Sequence, residues 1–180
     1  MTGCVGLGRG ARYVNMAVQP SSAASPLFLR EPEIRRGVEL LYFGYSHLTR
    51  TIDADLAAQG LGRAHHRALY FIARQPDMPV SDLLKLLAIT KQSLGRVLTD
   101  LAGRDLVEQR TGTSDRRQRL LRLTIEGAAL EAQLFDSLRE KLSAAYAQAG
   151  QGSVAGFWQV LEGLIPESER SRVADLQRHD

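Results

Sequence analysis

Residues 81–104 place two helical signals almost end to end, and this spacing restricts the fold more than any other feature of the chain. Ser81 suits a helix N-cap, with Asp82 at the positive end of the helix it would open. SDLLKLLAI reads as a short helix ending near Ala88. Thr90 is a second N-cap and opens TKQSLGRVLTDLAGR, whose apolar Leu94, Val97, Leu98 and Leu101 share one face. Two helices, one short and one longer, joined by so few residues make a helix-turn-helix.

The next segment narrows the fold again. LVEQR (106–110) and QRLLRLT (118–124) suit strands, the polar loop TGTSDRR (111–117) lies between them, and Gly112 suits the hairpin turn. A helix-turn-helix with a two-stranded hairpin after it is a winged helix. The expected class is mainly α with a small β-hairpin wing.

The flanks are helical. Upstream, a helix is expected from about Ala64 to Arg74, with Leu69, Ile72 and Ala73 apolar, and Pro76 and Pro79 bound a loop after it. Before that, Ile34, Val38, Leu41, Tyr45, Leu48, Ile52 and Leu56 form a near-heptad stripe that ends at Gln59-Gly60, where glycine stops a helix. Downstream, Thr124 caps a long helix on which Leu130, Leu134, Leu138, Leu142 and Tyr146 recur every four residues beside Phe135. Gly150 and Gly152 break it. A last helix, about Val154–Ile165, groups Phe157, Trp158, Leu161, Leu164 and Ile165. The expected division is a flexible tail (1–29), an N-terminal dimerisation helix (30–62), a winged helix-turn-helix (63–124), C-terminal dimerisation helices (125–165) and a polar tail (166–180). Met1 and Met16 are both possible starts.

Composition adds most when it is split. The 180 residues carry a net +3, with 44% hydrophobic and 24% charged residues, which excludes a wholly disordered, collagen-like or rod-like chain. Residues 61–124 hold 12 basic and 6 acidic side chains, a net +6, whereas residues 125–180 hold 5 and 9, a net −4. A basic middle points to a polyanion. No Phe, Tyr or Trp lies between Ile72 and Leu130, so the basic region offers no platform for stacking unpaired bases. Duplex DNA is the better partner.

The residue chemistry agrees. Lys91, Gln92, Ser93 and Arg96 lie opposite the apolar face, in the first two turns after Thr90. Arg donates twice to guanine, Gln bonds adenine bidentately, and Ser and Lys suit bases or phosphates. On the hairpin, Arg116, Arg117 and Arg119 would repel one another without an anion nearby, and a minor groove supplies one. Asp115 is expected to hold a neighbouring Arg through a charge-assisted hydrogen bond. Arg122 also sits on the return strand.

The run LVEQRTGTSDRRQRLLRLTIEGAALE resembles the signature of the MarR family of bacterial winged-helix regulators. Asp115-Arg116-Arg117, Leu123-Thr124 and Gly127 match its wing and the start of its next helix, and ITKQSLGRVLTDL (89–101) looks like its recognition helix. GRAHHRALYF, ITKQSL and SDRRQRLL most resemble the PetP-type branch. The likeness covers about residues 31–165. One departure is Asp105, where the family usually has glycine; Asp tolerates a left-handed backbone better than most residues.

The resemblance implies a homodimer whose first and last helices interlock, reading a palindromic operator with half-sites about one DNA turn apart. It also implies a small effector bound between the DNA-binding and dimer parts, where His47, His65, His66 and Tyr70 fall by position. Ordinary packing is the competing reading of each of these four. Adjacent His65 and His66 diverge by about 100° on a helix, and HExxH spacing is absent, so neither a metal nor a cofactor is expected.

Cys4 is the one cysteine, which excludes an intrachain disulfide and fits a reducing compartment. Part of the family uses an N-terminal cysteine as a redox sensor, but a sensor thiol needs a structured electropositive setting, which the tail lacks. No apolar run approaches a membrane span. The expected protein is a cytoplasmic, sequence-specific regulator of transcription, a repressor, and not an enzyme. The alternatives are a winged-helix protein-interaction module without specific DNA binding, and an enzyme using His65 or His66.

Overall fold

The structure, a computed structural model, describes residues 26–112 and 115–177. Cys4, Met16 and the tail readings over 1–25 lie outside them. Two compact units divide at Leu40 and Leu41, inside helix α1 (Glu31–Arg50). In the first, Leu27–Leu29 form a 3-10 turn, α1 begins with Glu31 and Glu33 at its positive end, and Arg35 pairs with Glu31 at 2.6 Å.

The second unit holds the rest: α2 (Asp53–Ala58), α3 (Arg63–Arg74), β1 (Met78–Pro79), α4 (Val80–Leu87), α5 (Lys91–Gly103), β2 (Val107–Thr111), β3 (Arg119–Leu123), α6 (Ile125–Ala149), α7 (Gln151–Leu164) and α8 (Glu167–Gln177). The strands form an antiparallel sheet in the order β1-β3-β2, with Val107 opposite Leu123, Thr111 opposite Arg119 and Met78 opposite Leu121. The core lies where α3, α4 and α5 close over this sheet and α6. Leu69, Ile72, Met78, Leu83, Leu87, Leu94, Leu101, Leu121 and Leu134 are fully buried there. Each such side chain contributes about 1.5–3 kcal/mol by leaving water.

Local chemistry explains the joints. The Thr90 hydroxyl accepts the Ser93 N–H at 3.1 Å and caps α5; the Thr124 hydroxyl accepts the Gly127 N–H at 3.0 Å and caps α6, while donating to the Asp105 carbonyl at 2.6 Å. At the end of α5, Asp105 takes a left-handed backbone (φ 56°). Its N–H reaches the Ala102 carbonyl, and the Leu106 N–H reaches that of Leu101. These paired bonds are a Schellman ending, and Gly60 builds the same ending on α2. Gly127 is required by proximity, since a Cβ there would lie 1.9 Å from the Leu106 carbonyl oxygen.

The structure corrects four expectations and adds one helix. The stripe over 34–56 is two helices: the Thr51 N–H and hydroxyl both turn back to the Leu48 carbonyl, and the chain bends to bury Ile52 and Leu56. Ser81 does not cap α4, which starts one residue earlier, after Pro79. The loop bounded by Pro76 and Pro79 contributes an edge strand, where the missing proline N–H is tolerated. Gly152 lies inside α7, so Gly150 alone (φ 81°) makes the break. The polar end is helical over Glu167–Gln177, with two glutamates in its first turn.

Candidate functional site

Helix α5 buries Leu94, Val97, Leu98 and Leu101 and exposes Lys91, Gln92, Ser93 and Arg96. The apolar face fixes the helix in the core, and the remaining face is left to solvent. Thr90 and Ser93 are joined hydroxyl to hydroxyl at 2.9 Å as part of the cap, so Lys91, Gln92 and Arg96 are the freer groups.

At the wing, the Gly112 N–H donates to the Gln118 carbonyl and the Gln118 N–H to that of Asp115, each at 3.0 Å. A Cβ at Gly112 would approach the Asp115 carbonyl oxygen to 2.7 Å, which explains the glycine. The Asp115 carboxylate accepts the backbone N–H of Arg117 at 2.9 Å. Asp115 thus shapes the loop rather than pairing with a guanidinium: a bond two residues on needs less side-chain ordering than an ion pair. Arg116 and Arg117 are exposed. Arg119 reaches Thr111 across the hairpin at 3.5 Å, a weak contact.

The cations of the basic segment therefore sort into two groups. Arg63 pairs with Asp53, Lys85 with Asp82, Arg110 with Glu108 and Arg122 with Asp77. Arg67, Arg74 and Arg104 donate to backbone carbonyls of Leu87, Leu176 and Gln59, and Arg119 meets Thr111. Of the twelve, only Lys91, Arg96, Arg116 and Arg117 have no side-chain hydrogen bond or ion pair among the described residues. All four lie on α5 or the wing. Arg122 lowers the Asp77 carboxyl below its ordinary value through its hydrogen bond, so this strand arginine fastens the sheet to the α3–β1 turn.

A crevice of about 480 Å³ opens between the second half of α1, α3 and α6. Its walls include Tyr45, His66, Arg67, Tyr70, Phe135 and Tyr146, and the Tyr70 and Phe135 rings lie 6.2 Å apart. The His66 side chain is buried and its Nε2 has no hydrogen-bond partner. Burial, and after it the Arg67 charge, pulls its imidazole below the ordinary histidine range. Of the four residues expected at such a crevice, His66 and Tyr70 line it; His47 and His65 do not. His47 sits on another side of α1 from Tyr45, Leu48 and Thr49, which recur at helical spacing toward the crevice. The His65 ring is held elsewhere: Nδ1 accepts the Gly62 N–H at 3.0 Å and Nε2 lies 3.3 Å from Asp100.

A sequence profile described as the MarR family matches residues 59–118. Over 144 residues the chain is 45% identical to the HTH-type transcriptional regulator PetP of Rhodobacter capsulatus, covering 80% of this chain and 87% of that protein. This chain belongs to the MarR family. Members of the MarR family are transcription regulators, not enzymes. Solved structures agree in architecture. A mutant MarR from E. coli complexed with operator DNA covers 79% of this chain and all of its own, at a TM-score of 0.61 and 23% identity. NadR in complex with 4-hydroxyphenylacetate covers 73% of this chain and 91% of its own, at 0.63 and 23%. The fold is a winged helix. Among the described residues, no helix is long and apolar enough to cross a membrane.

Sequence reasoning missed Arg67, Tyr45 and Tyr146 at the crevice. The two tyrosines stood in stripes read as packing, and the crevice draws on helices about a hundred residues apart, which no local spacing reveals.

Proposed function

We propose that this MarR-family regulator binds double-stranded DNA in a sequence-specific way, as a homodimer on a palindromic operator, and represses transcription by covering promoter DNA. The observation that carries this reading is the set of unpaired cations: Lys91, Arg96, Arg116 and Arg117 have no partner among the described residues, and every other cation of the basic segment has one. Unpaired arginines close together stay favourable when a polyanion is near. Lys91, Gln92 and Arg96, with Thr90 and Ser93 at the cap, read the major groove; Arg116 and Arg117 enter the minor groove from a loop shaped by Asp115, with Arg119 behind them. The DNA-binding part spans 63–124. The dimer uses the first helix and the segment 125–165, on which exposed apolar side chains recur. The protein acts in the cytoplasm.

The crevice takes a small effector with a flat apolar body and an anionic end. Aromatic walls, two arginines and a volume near 480 Å³ suit such a molecule. The solved relatives support both partners, since one carries operator DNA and another 4-hydroxyphenylacetate.

The test is selection of duplexes from a random pool, then titration of the best duplex at several salt concentrations. The expected result is a palindrome and a steep fall in affinity with salt. Arg117→Ala lowers affinity across sequences and flattens the salt slope by about 1, as expected for one lost phosphate-region contact. Enrichment of no duplex over the starting pool overturns the reading.

A further inference from the structure

Arg67 belongs to two places at once. It lines the crevice, and its Nη2 donates to the carbonyls of Leu87 at 3.0 Å and Leu86 at 3.4 Å. Those carbonyls end α4, where a helix leaves acceptors unsatisfied and carries partial negative charge. Immediately beyond them Ala88 takes a left-handed backbone at φ 51°, and Thr90 caps α5 two residues later. A non-glycine residue is disfavoured in that conformation, because its Cβ crowds the following carbonyl oxygen. The Arg67 guanidinium therefore holds the strained turn that sets the recognition helix.

The crevice offers an incoming anion few alternatives. Arg139 is already paired with Asp136 at 2.9 Å. His66 is buried and uncharged near neutral pH. Arg67 has only neutral carbonyl partners, and an anion adds a full opposite charge that a carbonyl dipole lacks. Both carbonyls take Nη2, so an anion on the Nε or Nη1 side draws the same rigid group toward the crevice and away from the end of α4.

We infer that Arg67 is the link between the crevice and the recognition helix: an anion seated in the crevice withdraws the guanidinium from the Leu86 and Leu87 carbonyls and loosens the turn between α4 and α5. Arg67 is a positioning residue. This rests on the effector reading but not on DNA binding, because it is measured on DNA-free protein.

The experiment is amide hydrogen exchange on the full chain, with benzoate as the anionic probe and benzamide as its neutral counterpart. Benzoate at about 10 mM accelerates exchange over residues 84–94 about tenfold, while benzamide does not. Arg67→Gln shows the fast exchange without ligand and no further response. Arg67→Lys keeps a cation and restores part of both the protection and the response, which a purely space-filling role would not give. Three results overturn the proposal: no benzoate binding at that concentration, binding without local acceleration, or uniform acceleration of the whole lobe in Arg67→Gln with the same in Arg67→Lys. Failure of duplex selection with a positive exchange result would leave the link standing and remove DNA as the partner.

Discussion

Helices α5 and α7 are nearly equal in length, 13 and 14 residues, yet they solve opposite problems. α5 buries four apolar residues within its own lobe and turns a polar, basic face outward. α7 buries none, and Phe157, Trp158, Val160 and Leu164 stay exposed, Trp158 at 52%. Phe157 and Trp158 meet the Tyr146 ring edge-on, and the Trp158 Nε1–H donates to the Tyr146 hydroxyl at 2.9 Å, yet Trp158, Val160 and Leu164 stay more than half exposed, a face only partly covered inside one chain. α5 is finished by its own fold; α7 is finished, on the dimer reading, by a second copy. α1 adds to the contrast, with no buried residue and Ile34, Val38, Leu41 and Tyr45 exposed.

The comparison is sharpened most by truncating each helix. Leu101→Ala, at a fully buried site on α5, should lower unfolding stability by about 2–5 kcal/mol in a denaturant titration. A loss as small as that of a surface residue would mean that α5 is not closed on the core. Trp158→Asp should leave the far-ultraviolet spectrum unchanged and raise the dimer dissociation constant on the order of 100-fold by sedimentation, the loss typical of a central aromatic anchor. A variant that sediments like the parent protein would break the reading of α7.

The helix starts differ as well. Thr90 caps α5 with its side chain, whereas Gly150 gives α7 no side-chain cap. Thr90→Ala should cost about 1 kcal/mol, seen as a lower denaturation midpoint; Gly150→Ser should bring no comparable gain, because φ 81° disfavours a side chain there. The smallest effect concerns pH. His66 is held below its ordinary value near 6.5, first by burial and then by Arg67. The unfolded chain then binds the proton more readily, so stability is full above about pH 6.5 and declines as pH falls toward the lowered value. Denaturation midpoints at pH 7.5 and 5.5 should converge in His66→Gln; an unchanged slope would assign the decline to other groups.

The features legible in the sequence rest on chemistry within a few residues. Thr90 and Thr124 announce their helices because a hydroxyl reaches an N–H three positions on. Leu94, Val97, Leu98 and Leu101 announce their buried face by period. The two strands of the wing show by composition. The hidden features depend on distant partners. β1 exists because Met78 meets Leu121, 43 positions away, and two residues carry no alternation. The break after Arg50 contains neither Gly nor Pro; it comes from burying Ile52 and Leu56. Arg67 and Arg104 looked like further members of a basic surface, yet they hold the backbone carbonyls of Leu87 and Gln59. Charge counting cannot separate such fasteners from the four cations whose side chains have no partner among the described residues.

Asp105 has one further consequence. It forms the helix ending that Gly60 forms elsewhere, with the same left-handed backbone and the same two backbone bonds, although the resemblance leads one to expect glycine there. What the chain inherits at this joint is a dihedral angle, and the letter that supplies it is negotiable. A search for related regulators that insists on the glycine would pass over this chain, whereas one that asks for a residue able to sit at positive φ, then an apolar residue and a wing, would find it.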